Sequence, residues 1–209
     1  MSTELTAERE AQLVAAAKAG DYDAFAALVD AHADGVYALA MRIVRQAQDA
    51  EDVVQTAFIK ALENLAGFRE EARFGTWLHR IAANTALKLL RKRKGLPLAA
   101  PLGGGTDDDA LPLPERIADW RADVGRRLEQ SEFRRLLEQA IGELDEKYRL
   151  VFILRDIEEL SVKETAEQLG LTPSNVKVRL MRARLQLREK LTEAFGGDPT
   201  QVGQGAGHG

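Results

Sequence analysis

Apolar residues recur along this chain at helical spacing and nowhere with the period of two that marks a half-buried strand. Leu13, Ala16 and Ala17 form a short stripe that Gly20 can close. Asp21 is placed to cap a longer helix, in which Phe25, Leu28, Val29, Val36, Leu39, Ala40 and Ile43 return to one face. Asp49 can cap a third helix running to Leu65, with Val53, Val54, Ala57, Phe58, Ala61, Leu62 and Leu65 inward and Gly67 as its stop. A fourth helix runs from about Phe74 to Lys94. The pattern predicts one helical domain over residues 8–94.

The stripe then breaks. Pro97, Pro101, Gly103, Gly104, Gly105, Asp107, Asp108, Asp109, Pro112 and Pro114 predict a flexible, acidic Pro/Gly linker over residues 95–127. Helical periodicity resumes near Trp120, with Leu128, Phe133, Leu136, Leu137, Ala140, Ile141 and Leu144 on one face, and an apolar segment follows from Tyr148 to Leu154. A second small helical domain is expected over residues 128–194, and a glycine-rich tail over 195–209 that buries too little apolar surface to order itself. The fold class is therefore all-α, with two small helical domains.

The second domain ends in a helix-turn-helix pattern. Ser161 and Glu164 make a capping box for a first helix, with Val162, Ala166 and Leu169 inward and Gly170 as its stop. Thr172 caps a second helix that begins at Pro173, where the missing amide hydrogen costs nothing. At 100 degrees per residue, Val176, Leu180, Ala183 and Leu187 stack inward, while Ser174, Lys177, Val178, Met181 and Arg182 point away. Asn175 and Arg182 suit base edges, Val178 or Met181 a thymine methyl, and Arg179, Arg184 and Arg188 on the flanks suit phosphates. An ordinary amphipathic helix with a solvated basic side is the competing reading, but the caps, glycine turn and proline start together favour DNA binding.

Charge changes the picture of the first domain. The 209-residue chain carries a net charge of -4, which argues against nucleic acid until it is resolved locally. Lys88, Arg91, Lys92, Arg93 and Lys94 form one basic cluster, and Lys177, Arg179, Arg182, Arg184, Arg188 and Lys190 another. On the fourth helix, Leu78, Ile81, Ala82, Thr85 and Leu89 form the inward stripe, opposite Arg80, Asn84, Lys88 and Arg91. Trp77 falls on the polar side, where an indole beside a basic row suits single-stranded nucleic acid; a tryptophan folded partly into the core is the alternative. The third helix has an acidic to neutral outer side, Asp49, Glu51, Asp52, Gln55, Thr56, Lys60 and Glu63, which fits a basic protein partner or plain solvent better than phosphate.

Composition removes other classes. With no cysteine, disulfides, thiolate catalysis and cysteine-based zinc sites are excluded. His32, His79 and His208 have neither metal-ligand spacing nor a nucleophile partner, so no catalytic residue, metal or cofactor is expected, and no small-molecule substrate. No apolar run approaches the roughly 20 residues of a membrane span, and the polar, acidic start is unlike a signal peptide. A cytoplasmic protein is expected.

Two blocks, DAEDVVQTAFIKAL followed by FGTWLHRIAANTALKLLRKRK, and LDEKYRLVFILRDIEELSVKETAEQLGLTPSNVKVRLMRARLQLREKL, closely resemble the extracytoplasmic-function class of bacterial sigma factors. The resemblance covers about residues 8–191, linker excluded. It implies a sigma domain 2 and a sigma domain 4, an alternative sigma factor that joins core RNA polymerase, recognises the -10 and -35 promoter elements and promotes melting, and a monomer when free. By the same resemblance, Asp49, Glu51, Asp52, Val53, Gln55 and Phe58 dock on the clamp coiled coil of the polymerase beta-prime subunit, with the beta subunit a further contact. Phe74, Trp77, Arg80, Ile81, Asn84 and Lys88 bind and help melt the downstream element, with Arg91 continuing that face, and the loop Phe68 to Arg73 captures a flipped base. Ser174, Asn175, Lys177, Arg179, Arg182 and Arg184 match the upstream-element reader, whereas Val178 departs from the small polar residue common there. The acidic linker resembles those that thread toward the polymerase active cleft. Proteins of this class are usually held inactive by an anti-sigma factor, which can retain them at the inner face of the membrane. A helix-turn-helix regulator that needs no polymerase is the alternative reading.

Overall fold

A computed structural model describes residues 5–97, 100–104 and 131–194. Residues 105–127 of the expected linker, with Trp120, Leu128 and the tail 195–209, lie outside the described residues. Every element in the described residues is helical, and they divide into two compact units after residue 98. The all-helical expectation is met.

In the first unit, α1 spans Ala7–Lys18, α2 Tyr22–Val44, α3 Ala47–Asn64 and α4 Phe74–Arg93. Asp21 caps α2 by accepting from the amides of Asp23 and Ala24 at 2.9 and 3.0 Å. The long helices α2, α3 and α4 pack against one another, and α1 lies across α2. Their shared core is Leu28, Val36, Leu39, Ile43, Val53, Leu78 and Leu87, each at most 1% exposed. Two departures from expectation concern α3. It starts at Ala47 with Gln46 as its N-cap, so Asp49 sits in the first turn rather than at the cap. Leu62, expected inward, is 42% exposed, because Ala61 and Leu65 already fill the face toward α2 and α4.

Two histidines set the approach of α2 to α4. A Cβ on Gly75 would lie 2.9 Å from the His32 ring, and one on Gly35 would lie 3.3 Å from the ring of His79. Each helix thus offers a glycine to the other's imidazole. His32 is also held by Glu10 of α1, whose Oε1 lies 2.9 Å from Nε2.

In the second unit, α5 covers Ser131–Glu143, α6 Glu146–Phe152, α7 Val162–Leu169 and α8 Pro173–Ala194. The apolar segment expected from Tyr148 to Leu154 is α6 running into a π turn, Ile153–Ile157, which closes with the Glu158 amide on the Ile153 carbonyl at 2.9 Å. Helices α5, α6 and α7 all pack on α8. The capping box of α7 is formed at both ends: the Glu164 amide donates to Ser161 Oγ at 3.1 Å, and the Ser161 amide to Glu164 Oε2 at 2.8 Å. Gly170 ends α7 in the left-handed region at φ 68°, a conformation that glycine adopts without steric cost.

Part of the expected linker is not loose. Residues 100–104 belong to the second unit, and Leu102 is fully buried there. Burial of the leucine side chain and hydrogen bonds of its amide and carbonyl to Leu169 and Arg179 of the helix-turn-helix outweigh the turn-forming composition around them. No helix among the described residues is long and apolar enough to cross a membrane.

Candidate nucleic-acid interface

The outer face of α4 is a row four residues apart. Arg80, Asn84 and Lys88 are exposed as expected, and Lys92 continues the row. Arg91 does not: it is 5% exposed, and burial pushes its guanidinium below the usual arginine range. The correction follows from geometry, since a step of three from Lys88 turns back toward the bundle while a step of four stays outside. Ile81 is half-buried. Arg93, beyond the row, donates to Asp49 Oδ2 at 2.7 Å and to the Val44 carbonyl at 3.3 Å, tying the end of α4 to the start of α3.

Trp77 occupies an intermediate position between the two readings. It is half-buried, with its ring 4.8 Å from Phe68 and 5.7 Å from Phe74. Phe68 and Phe74 are themselves buried, so of the three aromatic residues only the indole keeps an exposed part. The loop before α4 is anchored from α1. Lys18 donates to the Phe68 carbonyl and to Glu70 Oε1, both at 2.7 Å, and its ammonium lies 5.4 Å from the Phe68 ring. Glu70 adopts φ 60°, in the left-handed region, and Arg73 is exposed. Beside it lies a cavity of about 210 Å³, lined by Glu10, Val14, Phe68, Glu70, Arg73 and Phe74 among others. The α1 contribution to this cavity carried no motif in the sequence.

On α3, the outer face is acidic at one end and apolar at the other. Glu51, Asp52 and Gln55 are exposed, followed by Ile59 at 59% and Leu62 at 42%. Val53 and Phe58, grouped with the docking residues, point into the bundle at 0% and 7%. Asp49 is half-buried in its pair with Arg93. Leu62 is expected inward, as apolar residues on an amphipathic helix are by default, and Ile59, which belongs to neither the inward stripe nor the charged outer side, is assigned to no face by the sequence.

Helix α8 begins sharply, with the Asn175 amide donating to Thr172 Oγ1 at 3.2 Å. Ser174, Lys177 and Arg188 are exposed; Asn175, Val178 and Arg182 are half-buried, with Arg182 Nη1 reaching the Tyr148 hydroxyl at 3.4 Å. Three expected outward residues are turned in. Met181 is 5% exposed, because α5, α6 and α7 surround more of α8 than one stripe. Arg184 makes two parallel bonds to Asp156, at 2.7 and 2.8 Å, whose carboxylate is 4% exposed. Arg179 is fully buried, donating to the carbonyls of Leu102 and Gly104 at 3.2 and 2.6 Å. Asp156 and Leu102 are partners that periodicity could not supply, being 28 and 77 residues away.

Among the described residues, no group of three His, Cys, Asp or Glu is placed to hold a metal ion. The arrangement offers charged, amide and stacking surfaces.

Residues 28–95 match the model of Sigma-70 region 2, and residues 134–187 that of Sigma-70, region 4. The chain is 36% identical over 177 residues to the ECF RNA polymerase sigma factor SigW of Bacillus subtilis, covering 84% of this chain and 93% of that protein. It is 36% identical to the RNA polymerase sigma-H factor of Pseudomonas aeruginosa, across 86% of this chain and 92% of the relative. Among solved structures it is similar to CnrH in complex with the cytosolic domain of CnrY, at 28% identity and a TM-score of 0.50, over 88% of this chain and 97% of that one. A regulator with only a helix-turn-helix would not match region 2 as well. With both regions present in order and nearly its whole length shared with curated relatives, the chain belongs to the extracytoplasmic-function sigma factors of the sigma-70 family.

Proposed function

We propose that this alternative sigma factor divides its work among three surfaces. The exposed part of α3, Glu51, Asp52 and Gln55 extended by Ile59 and Leu62, docks on core RNA polymerase. The row Arg80, Asn84, Lys88 and Lys92, with the edge of Trp77 and the cavity under the Phe68 to Arg73 loop, holds the opened downstream element. On α8, Ser174, Asn175, Lys177, Val178 and Arg182 read the upstream element. The single observation that carries this division is the sorting of charge within the first unit: α3 presents carboxylates, which phosphate repels, beside uncharged apolar groups, while α4 presents cations and amides, which it attracts. A stacking edge beside a basic row is the chemistry that an unpaired strand needs.

The chain supplies recognition and strand capture, and bond making stays with the polymerase. It works in the cytoplasm, with promoter DNA and core polymerase as partners and no small-molecule substrate. CnrH is seen bound to the cytosolic domain of a second protein, CnrY, which supports a protein partner for this chain too, of the anti-sigma kind that the family resemblance implies. Run-off transcription with core polymerase on a promoter library tests the reading: promoter-dependent products are expected, and their absence overturns it. Within that assay Asp52→Ala should weaken core binding and leave DNA binding by the isolated chain unchanged; an unaltered core affinity would remove α3 from the docking surface.

A further inference from the structure

Arg179 lies on the reading helix, yet its guanidinium is fully buried beneath residues 100–104. Three hydrogen bonds converge there. The Leu102 amide donates to the Leu169 carbonyl at 3.0 Å, meeting one of the orphan acceptors that the last turn of any helix leaves. Arg179 Nη1 donates to the Leu102 carbonyl at 3.2 Å, and Nη2 to the Gly104 carbonyl at 2.6 Å. The Leu102 side chain is itself 0% exposed. One short segment is thus bonded to the end of α7 and, through Arg179, to the N-terminal part of α8, the two helices whose mutual angle defines a helix-turn-helix.

The segment is shaped for that position. Gly103 and Gly104 sit at φ 87° and 60°, where other residues are strained. A Cβ on Gly103 would fall 2.6 Å from Lys147 Cβ and 2.7 Å from its Cα, so α6 forms the back wall and leaves room for glycine alone. A planar guanidinium with forked donors can hold the Leu102 and Gly104 carbonyls at once, which an ammonium cannot do with the same geometry.

We infer that residues 100–104 are a strap completing the helix-turn-helix, and that Arg179 is a positioning residue that latches this strap to the reading helix rather than a contact to DNA. The strap joins α7 to α8 through backbone groups, so the register of Ser174, Asn175 and Arg182 on a promoter depends on a segment 70 residues earlier in the chain, roughly.

Two readouts test this. Hydrogen exchange on the free full-length chain should show the Leu102 amide slowed roughly tenfold or more against an unstructured amide, with protection lost in Arg179→Met and in Gly103→Ala. The second variant leaves α8 untouched, so a folding defect of α8 cannot account for its result. The second readout rests on the sigma-factor reading: in the complete complex with core polymerase, Arg179→Met should lower the ratio of promoter to non-promoter binding about tenfold, while the slope of log affinity against log salt stays unchanged. A slope lower by about one with equal loss on both DNAs identifies a phosphate contact and overturns the inference. So does a Leu102 amide that exchanges freely in the unsubstituted chain. Exchange needs no polymerase, so a failed promoter assay leaves the strap itself decided.

Discussion

Arg182 and Lys177 lie about 1.4 helical turns apart on α8, and under the proposed reading their surroundings suit them to different work. Arg182 is half-buried with its guanidinium steered by the Tyr148 hydroxyl, whereas Lys177 is exposed. A restrained, forked donor suits one base; a loose ammonium suits a phosphate. Arg182→Ala is expected to weaken upstream-element binding by about 1 to 3 kcal/mol and to relax the preference at one base pair. Lys177→Ala should weaken all sequences alike and lower the salt slope by about one. Binding titrations across salt on promoter and scrambled DNA separate the two. Arg184 belongs to the fold instead: Arg184→Ala leaves the nearly buried Asp156 without its bidentate partner, and a loss of about 1.5 to 3 kcal/mol is expected in denaturant unfolding. Arg184→Lys should recover only part of it, because an ammonium cannot rebuild the two parallel bonds.

At the scale of elements, the reciprocal glycine and histidine contacts between α2 and α4 make a prediction that helix propensity alone would get backwards. Glycine to alanine inside a helix usually gains up to about 1 kcal/mol. Gly75→Ala should instead destabilise the first unit, because its Cβ meets the His32 ring at 2.9 Å and that ring is held between Glu10 and Phe74. Gly67→Ala, with open space around it, should be neutral or stabilising in the same thermal melts. In the second unit, Lys190 donates to Glu143 at 2.7 Å, joining α8 to α5, and this hydrogen bond holds the Glu143 carboxyl below the usual carboxylate range. A depressed folded-state value means stability present above the unfolded value and lost as pH falls through the folded one. The melting difference between the unsubstituted chain and Glu143→Gln should therefore shrink to nothing on acidification.

The helices and their caps were legible for local reasons. Asp21, the Ser161 and Glu164 box, Gly170 and Thr172 with Pro173 all act within three residues, so spacing alone locates them. The faces were legible only in part. Met181, Arg91 and Leu62 went astray because an ideal wheel assumes one buried stripe, while α8 and α4 are each packed by several neighbours and α3 leaves part of its apolar face uncovered. Arg179, Arg184 and the strap were illegible because their partners lie far away in sequence, and a basic residue on a reading helix looks the same whether it meets DNA or a carbonyl.

The net charge of -4 on the whole chain hides the separation that lets one small protein engage two kinds of partner. Long-range attraction to DNA would be weak for the molecule as a whole, and the basic rows act only at close range. Delivery to the promoter then depends on the polymerase, and under the proposed division of surfaces the α3 face takes the first step. On the proposed docking face, the exposed carboxylates Glu51 and Asp52 would steer approach, while the exposed Ile59 and Leu62 would supply the apolar area that a stable interface buries at its centre. The two groups should separate kinetically. Asp52→Ala should slow association with core polymerase and flatten its salt dependence, with little change in dissociation. Ile59→Ser should leave association near its original rate and speed dissociation, costing about 1 to 2 kcal/mol in affinity. Because Ile59 is 59% exposed, its removal should leave the melting temperature of the free chain unchanged. Surface-immobilised core polymerase with the full-length chain in solution measures both rates. A fall in melting temperature matching the loss of affinity would show that Ile59 serves the fold, and equal rates for Ile59→Ser and the unsubstituted chain would place the docking surface elsewhere.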